Sequence, residues 1–422
     1  MTILTGRLAA VALLVLSLAA GSAQAARLQI INLDGPGEGL NDNTPVAPMG
    51  GNSGTTLGEQ RRIALQFAAD VLGDRITSSV PIRIASRFDR LQCSRNSAAL
   101  GQAAPVQFAS GFSGQPIANT FYPLALANAL AGRRIAADSN DINATFNATL
   151  DSGFSSCLQG RRWYYGLDGR QPAGRLNFLS TAVHELTHGL GFVSLVALRN
   201  SFGDAIGEFP RTANGNRLPD IYSRFIKDLS LSGQPTWPEL SAEQRADSIT
   251  NGPDVVWRDA NTANAAAGIL SDGLNQGFVQ IFAPANIAPS SSISHWDVSL
   301  DPDQLMEPFA TGRIDVTDGI GLATCALENI GWQLMGNARC PSTENGGMDD
   351  DPPPGDGSDD DESSDGDSNT SALSAAGDDV EQRANDGGGG CTLNPEARFD
   401  PVFAVLLMLA LVTLGVRRRR RD

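Results

Sequence analysis

His184-Glu185-Leu186-Thr187-His188 is the stretch of this chain best equipped to do chemistry. An α-helix turns once every 3.6 residues, so His184 and His188 project from one face and can offer two imidazole nitrogens to a single Zn²⁺ ion. Glu185, from the neighbouring position, can reach a zinc-bound water without being a ligand, which suits a general base. Two histidines on a helix face can also be ordinary surface or core residues. Against that reading, the chain has only three histidines in 422 residues. A catalytic zinc wants three protein ligands and one open position, and His295 completes the number.

The element that must carry the pair is a helix from about Leu176 through Leu190, on which Leu179, Val183, Leu186 and Leu190 form an apolar stripe at helical spacing. Gly189 and Gly191 should end it, Gly191 letting the chain turn sharply below the metal. Upstream, Ile63, Phe67 and Val71 mark one face of a helix over Glu59–Leu72, and Val80–Ile84 alternates as a half-buried strand does. Strand-like Pro105–Phe108, helix-like Leu124–Leu130 and a polar strand near Asp141–Phe146 suggest a sheet beside the active-site helix. Asn143-Ala144-Thr145 and Asn147-Ala148-Thr149 match the glycosylation pattern but read as plain strand residues. Residues 26–57 form an N-terminal extension rich in Gly, Pro, Asn and Asp, with a short strand at Leu28, Ile30 and Ile31.

Downstream, an insertion over 193–291 carries short helical candidates at Asp220–Leu229 and Ala242–Ile249. It has to return the chain to Ser294-His295-Trp296-Asp297 and then to Leu305-Met306-Glu307-Pro308. A helix near Gly319–Ile330 closes a domain spanning 58–340.

The two ends read differently. Residues 1–25 have the basic start, apolar middle and Ala23-Gln24-Ala25 cleavage site of a secretory signal peptide, which makes signal peptidase a partner. Export implies an oxidising compartment and makes the cysteines disulfide candidates. Cys93, Cys157, Cys325 and Cys340 allow three connectivities; Cys93–Cys157 with Cys325–Cys340 keeps each bridge within one half of the chain. Net charge is −16, but the stretch from Glu344 to Asp386 supplies about fifteen acids against the single base Arg383. Without a basic stripe on the globular part, there is no footprint for nucleic acid. Residues 341–390, almost devoid of large apolar side chains, read as an acidic disordered linker. Residues 391–422 combine Cys391, which follows Gly389 and Gly390, with an apolar transmembrane segment at 402–416 and Arg417–Arg421, which place that end in the cytoplasm.

Taken in order, HExxHxxGF, a long insertion, SHW and LMxP resemble the leishmanolysin-like branch of the metzincin zinc endopeptidases, over roughly Glu59–Trp332. The wider clan has HExxHxxGxxH and a Met-turn. Here Gly191 is in place, but Ser194 stands where the third histidine would be, and the resemblance supplies His295 instead, after the insertion. It also implies that Met306 lies in the turn beneath the metal. The fold it implies is α+β and zincin-like: a twisted sheet packed on the active-site helix, with a mainly helical C-terminal subdomain. Trp296 and Asp297 are candidates to hold a ligand imidazole's other N–H. Several metzincins have a tyrosine just after the Met-turn; none follows Met306, which leaves the metal or an edge-strand N–H to stabilise the oxyanion. The C-terminal arrangement resembles bacterial GlyGly-CTERM and Gly-Cys sorting signals, implying an intramembrane sorting protease as a further partner and a secreted or cell-surface product.

The resulting expectation is an exported zinc endopeptidase acting on proteins or peptides, with Glu185 as general base. A catalytically silent surface-binding or adhesion module that keeps zinc to hold its fold is the alternative. Glu185 speaks against it, since a structural site has no need of that carboxylate. A zinc hydrolase acting on a non-peptide bond shares the motif.

Overall fold

The computed structural model describes residues 24–340, apart from 201, 311–313, 337 and 339. The expected acidic linker, Gly389, Gly390, Cys391, the 402–416 segment and residues 1–23 of the expected signal peptide lie outside the described residues. Among those described, no helix is long and apolar enough to cross a membrane.

Among the described residues, six α-helices and several small sheets make up a mixed α/β architecture. In chain order the first part comprises β1 (Leu28–Asn32), α1 (Leu57–Gly73), β2 (Ile82–Asp89), β3 (Gly101–Pro105), β4 (Phe108–Ala109), β5 (Tyr122–Pro123), α2 (Leu124–Ala131) and β6 (Ile142–Asn147). The main sheet runs β1-β2-β6-β3, its first three strands parallel and β3 antiparallel at the edge. Alternation sets the core face: Ile82, Ile84, Phe88, Ile142, Ala144 and Phe146 are buried, while Arg87 and Asn143 are exposed. The short strand of residues 26–57 is thus part of the same sheet as the elements that follow.

Thr56 caps α1 through a reciprocal box with Glu59, each side chain accepting the other's backbone N–H. The face that α1 buries differs from the Ile63–Phe67–Val71 stripe. Leu65, Ala68 and Leu72 are fully buried, whereas Ile63 and Phe67 are only partly so. Alanines let α1 lie close to its neighbours, and bulk alone misjudges which face turns inward. β3 is also displaced from the expected Pro105–Phe108. Gly101-Gln102-Ala103-Ala104 has no strand-forming side chains, and its extended form comes from pairing with β6.

The helix that carries His184 and His188, α3, spans Phe178–Leu190. It begins two residues after the expected start because Leu176 and Asn177 pair in parallel with Trp163 and Tyr164, and the Asn177 side chain accepts the Ser180 N–H as cap. The whole stripe Leu179, Val183, Leu186 and Leu190 is buried. Gly189 lies inside the helix instead of ending it: a side chain there would collide with Ile142 of β6.

The region after α3 is less helical than the resemblance implies. It holds α4 (Ala242–Ser248), α5 (Ala260–Ile269) and α6 (Leu322–Ile330) among long loops and two-stranded pairs. Asp220–Leu229 is a 3-10 turn at Tyr222–Phe225 followed by a strand, Ile226–Asp228, paired with Val255–Trp257. The Asp220 carboxylate accepts the Ser223 N–H, a local bond that competes with helix continuation. An aromatic cluster replaces helix packing: Phe192 lies 5.0 Å from Tyr222 and 4.9 Å from Trp296, and Tyr222 lies 4.9 Å from Trp257, centroid to centroid. Each such pair contributes about 0.5–1.5 kcal/mol beyond its buried area.

Both disulfides form, Cys93–Cys157 and Cys325–Cys340. Loop-closure entropy makes each worth about 3–4 kcal/mol. Asn147 is buried, its amide bonded to Ala99 O and its oxygen to Thr149 N, so this glycosylation match has a structural use.

Candidate metal centre

The three histidines converge. His188 Nε2 lies 3.1 Å from His184 Nε2 and 3.1 Å from His295 Nε2, and all three rings are buried. Their ligating atoms fall within 4.8 Å of one another. Nitrogens bound tetrahedrally to one ion at about 2.1 Å sit roughly 3.4 Å apart, so the three donors are close enough to share one ion.

The opposite nitrogens explain how the rings are held. His184 Nδ1 bonds Leu305 O at 2.5 Å, His188 Nδ1 bonds Phe192 O at 2.6 Å, and His295 Nδ1 bonds Ser291 O at 2.9 Å. A carbonyl only accepts, so each Nδ1 carries the proton and each Nε2 turns a lone pair inward. Three lone pairs facing one another repel unless a cation lies between them, and this site can hold a metal ion. Trp296 and Asp297 do not perform the expected orienting task, since backbone carbonyls do. Backbone atoms leave no mark in a sequence, which is why these partners were not visible there.

Burial, with His188 as a lesser cause, brings the His184 pKa down to about 3, and burial brings His188 down to about 4. Burial and the other two imidazoles place His295 well below its ordinary value. All three are therefore neutral at physiological pH, the form in which imidazole ligates.

The helix end and the Met306 segment build the rest. Gly191, at φ +124°, reverses the chain after α3 and brings the Phe192 carbonyl back onto His188. Trp332 Nε1 donates to Leu190 O at the same helix end. Met306 is fully buried; the carbonyl before it, Leu305 O, holds His184, and its own carbonyl accepts the N–H of Trp296, next to His295. The Met306 turn thus touches the settings of two of the three histidines.

Glu185 is buried on α3 between the two helical histidines in sequence. A Cβ added to Gly101 at the start of β3 would stand 2.9 Å from Glu185 Cγ and 3.2 Å from its Cδ. The edge strand therefore passes directly beside this carboxylate, and only glycine leaves it room. Gly101 escaped the sequence reading, where it was one glycine among 45. No tyrosine is available from nearby in the chain: Tyr222, the buried tyrosine of the insertion, commits its hydroxyl to Ile293 O.

Compared with family models, with curated proteins and with solved structures, the chain has no match in any of the three.

Proposed function

We propose that the chain is an exported zinc-dependent endopeptidase of the leishmanolysin-like metzincin type. The observation that carries the reading is the convergence of three buried, neutral imidazoles with Glu185 on the same helix as two of them. A set of three imidazole donors suits zinc. The chemistry supplied by a bound zinc is Lewis acidity, which polarises a carbonyl and lowers the pKa of water.

The protein's own residues do the remainder. Glu185 accepts a proton from the attacking water and returns it to the leaving amine. The carbonyls of Leu305, Phe192 and Ser291 fix the tautomers, so that no ligand nitrogen is lost to a proton. β3 pairs with β6 on one side, and its other side has no strand partner among the described residues. An extended peptide can add to such an edge through main-chain hydrogen bonds, beside Glu185. That feature favours peptide bonds over other hydrolysable bonds. The two disulfides accord with export.

The test uses the full chain with casein as substrate: zinc-dependent cleavage that stops on chelation and in Glu185→Ala is expected. Stoichiometric zinc binding without cleavage of a broad peptide library would instead favour the adhesion or binding module.

A further inference from the structure

Ser194, six residues past His188, lies where α3 has ended and the insertion begins. Its backbone N–H donates to Ser294 Oγ at 3.1 Å, across 100 residues of sequence. Ser294 is the residue before His295. The Ser194 hydroxyl lies 2.9 Å from Ser223 Oγ and accepts the Val196 N–H. Ser223 Oγ in turn donates to Asp220 Oδ2 at 2.7 Å, so the proton between the two serines comes from Ser194.

Asp220 is the fixed end of this chain of bonds. It is buried, and it accepts from Ser223 N, Ser223 Oγ and Leu195 N at 2.8, 2.7 and 2.9 Å. A buried carboxylate with three donors in place resists displacement, because moving it would strand either the charge or the donors. Tyr222, between Asp220 and Ser223, adds a bond from its hydroxyl to Ile293 O, two residues before His295. The same short segment therefore grips the His295 loop at residue 293 and the α3 exit at 194 and 195, and Ser194 in turn holds Ser294.

We propose that Asp220, Ser223, Ser194 and Ser294 form a clamp that positions His295 against the α3 histidines, making the insertion a structural part of the metal site. The need for it is physical. His184 and His188 are set four residues apart by one helix, but His295 arrives on a separate segment whose place must be fixed by contacts of its own. Phe282 N–H to His295 O and Trp296 N–H to Met306 O hold that segment from other sides. The clamp supplies the tie to α3.

The inference rests on the metal-site reading, and one experiment separates the two. Zinc affinity of the metal-free full chain is measured by competition with a chromogenic chelator, and cobalt(II) substitution is followed by its visible absorption. The wild type should bind one ion with the intense bands of tetrahedral cobalt. Ser294→Ala should weaken binding about tenfold, the effect of losing one such hydrogen bond and leaving its donor unpaired, and should alter the cobalt bands. Ser294→Thr, which keeps the hydroxyl, should restore both. Affinity within twofold of wild type and an unchanged cobalt spectrum in Ser294→Ala would overturn the clamp while leaving the metal site standing. Absence of metal binding by the wild type would overturn the metal reading and the clamp's purpose with it. If Ser294→Ala does not fold, Ser223→Ala cuts the same chain one link further out and is judged on the same readouts.

Discussion

The Nε2 atoms of His188 and His295 lie 3.1 Å apart although 107 residues separate them in the chain. Only one of the two has its place set by local structure. The other depends on the insertion folding correctly, and the site's properties should follow that asymmetry.

Removing His295 tests it directly. His295→Ala should lose stoichiometric zinc binding while keeping the fold, and with it the stabilisation that zinc gives the wild type, about 2.7 kcal/mol at a hundredfold excess over Kd. Thermal unfolding with and without zinc measures both proteins. An equal zinc-induced rise in Tm in the variant would show that the ion binds elsewhere.

Glu185 should matter to rate and not to metal. Glu185→Ala should retain zinc by elemental analysis and lose roughly 10²–10⁴-fold in kcat, the range typical of a general base. Full activity in this variant would sink the proposed mechanism.

Gly101 offers an indirect route to the same carboxylate. In Gly101→Ala the new methyl meets Glu185 Cγ, so either the base or the edge strand has to shift. A displacement of about 1 Å can cost up to roughly a hundredfold in rate. We expect kcat to fall with zinc affinity unchanged, measured by steady-state kinetics alongside chelator competition; unchanged kcat would mean that the strand yields without moving the base.

Glu307 gives a pH dependence. It is buried beside Met306, with the Gln304 N–H donating to its Oε1 at 2.5 Å. Burial, with Asp303 and Asp297 as lesser causes, pushes its pKa up to about 8 from an ordinary 4.5. Between these values the unfolded chain has released this proton and the folded chain retains it. The folded state then binds more protons, so this group's contribution to stability falls as pH rises from about 4.5 to 8, by on the order of a few kcal/mol, and levels off above. Glu307→Gln accepts the same N–H without the charge. Its Tm should exceed that of the wild type at pH 8, with the difference vanishing near pH 4; a constant difference across that range would assign it to packing.

Local regularities account for what could be read early. The four-residue spacing of His184 and His188, the apolar stripe of α3 and the helix-reversing Gly191 all follow from helix geometry, which acts over a few residues. The same holds for α2 and α4, found close to the expected Leu124–Leu130 and Ala242–Ile249. Where side chains gave a weak or misleading local pattern, the reading missed. β3 has no strand-forming residues and is extended because β6 is beside it. The Tyr222 segment carries helical periodicity, yet Asp220 and the aromatic cluster hold it as a tight turn and strand.

By itself the sequence determined the donor types, the paired histidines, the adjacent carboxylate and the number of histidines to be gathered, because these depend on chemistry and on spacing within one helix. Tertiary structure alone decided that His295 meets the pair, that backbone carbonyls set all three tautomers, and that a glycine on an edge strand makes room for Glu185. Those relations join segments far apart in the chain, and packing and hydrogen bonds between elements, which no short window of residues encodes, bring them together.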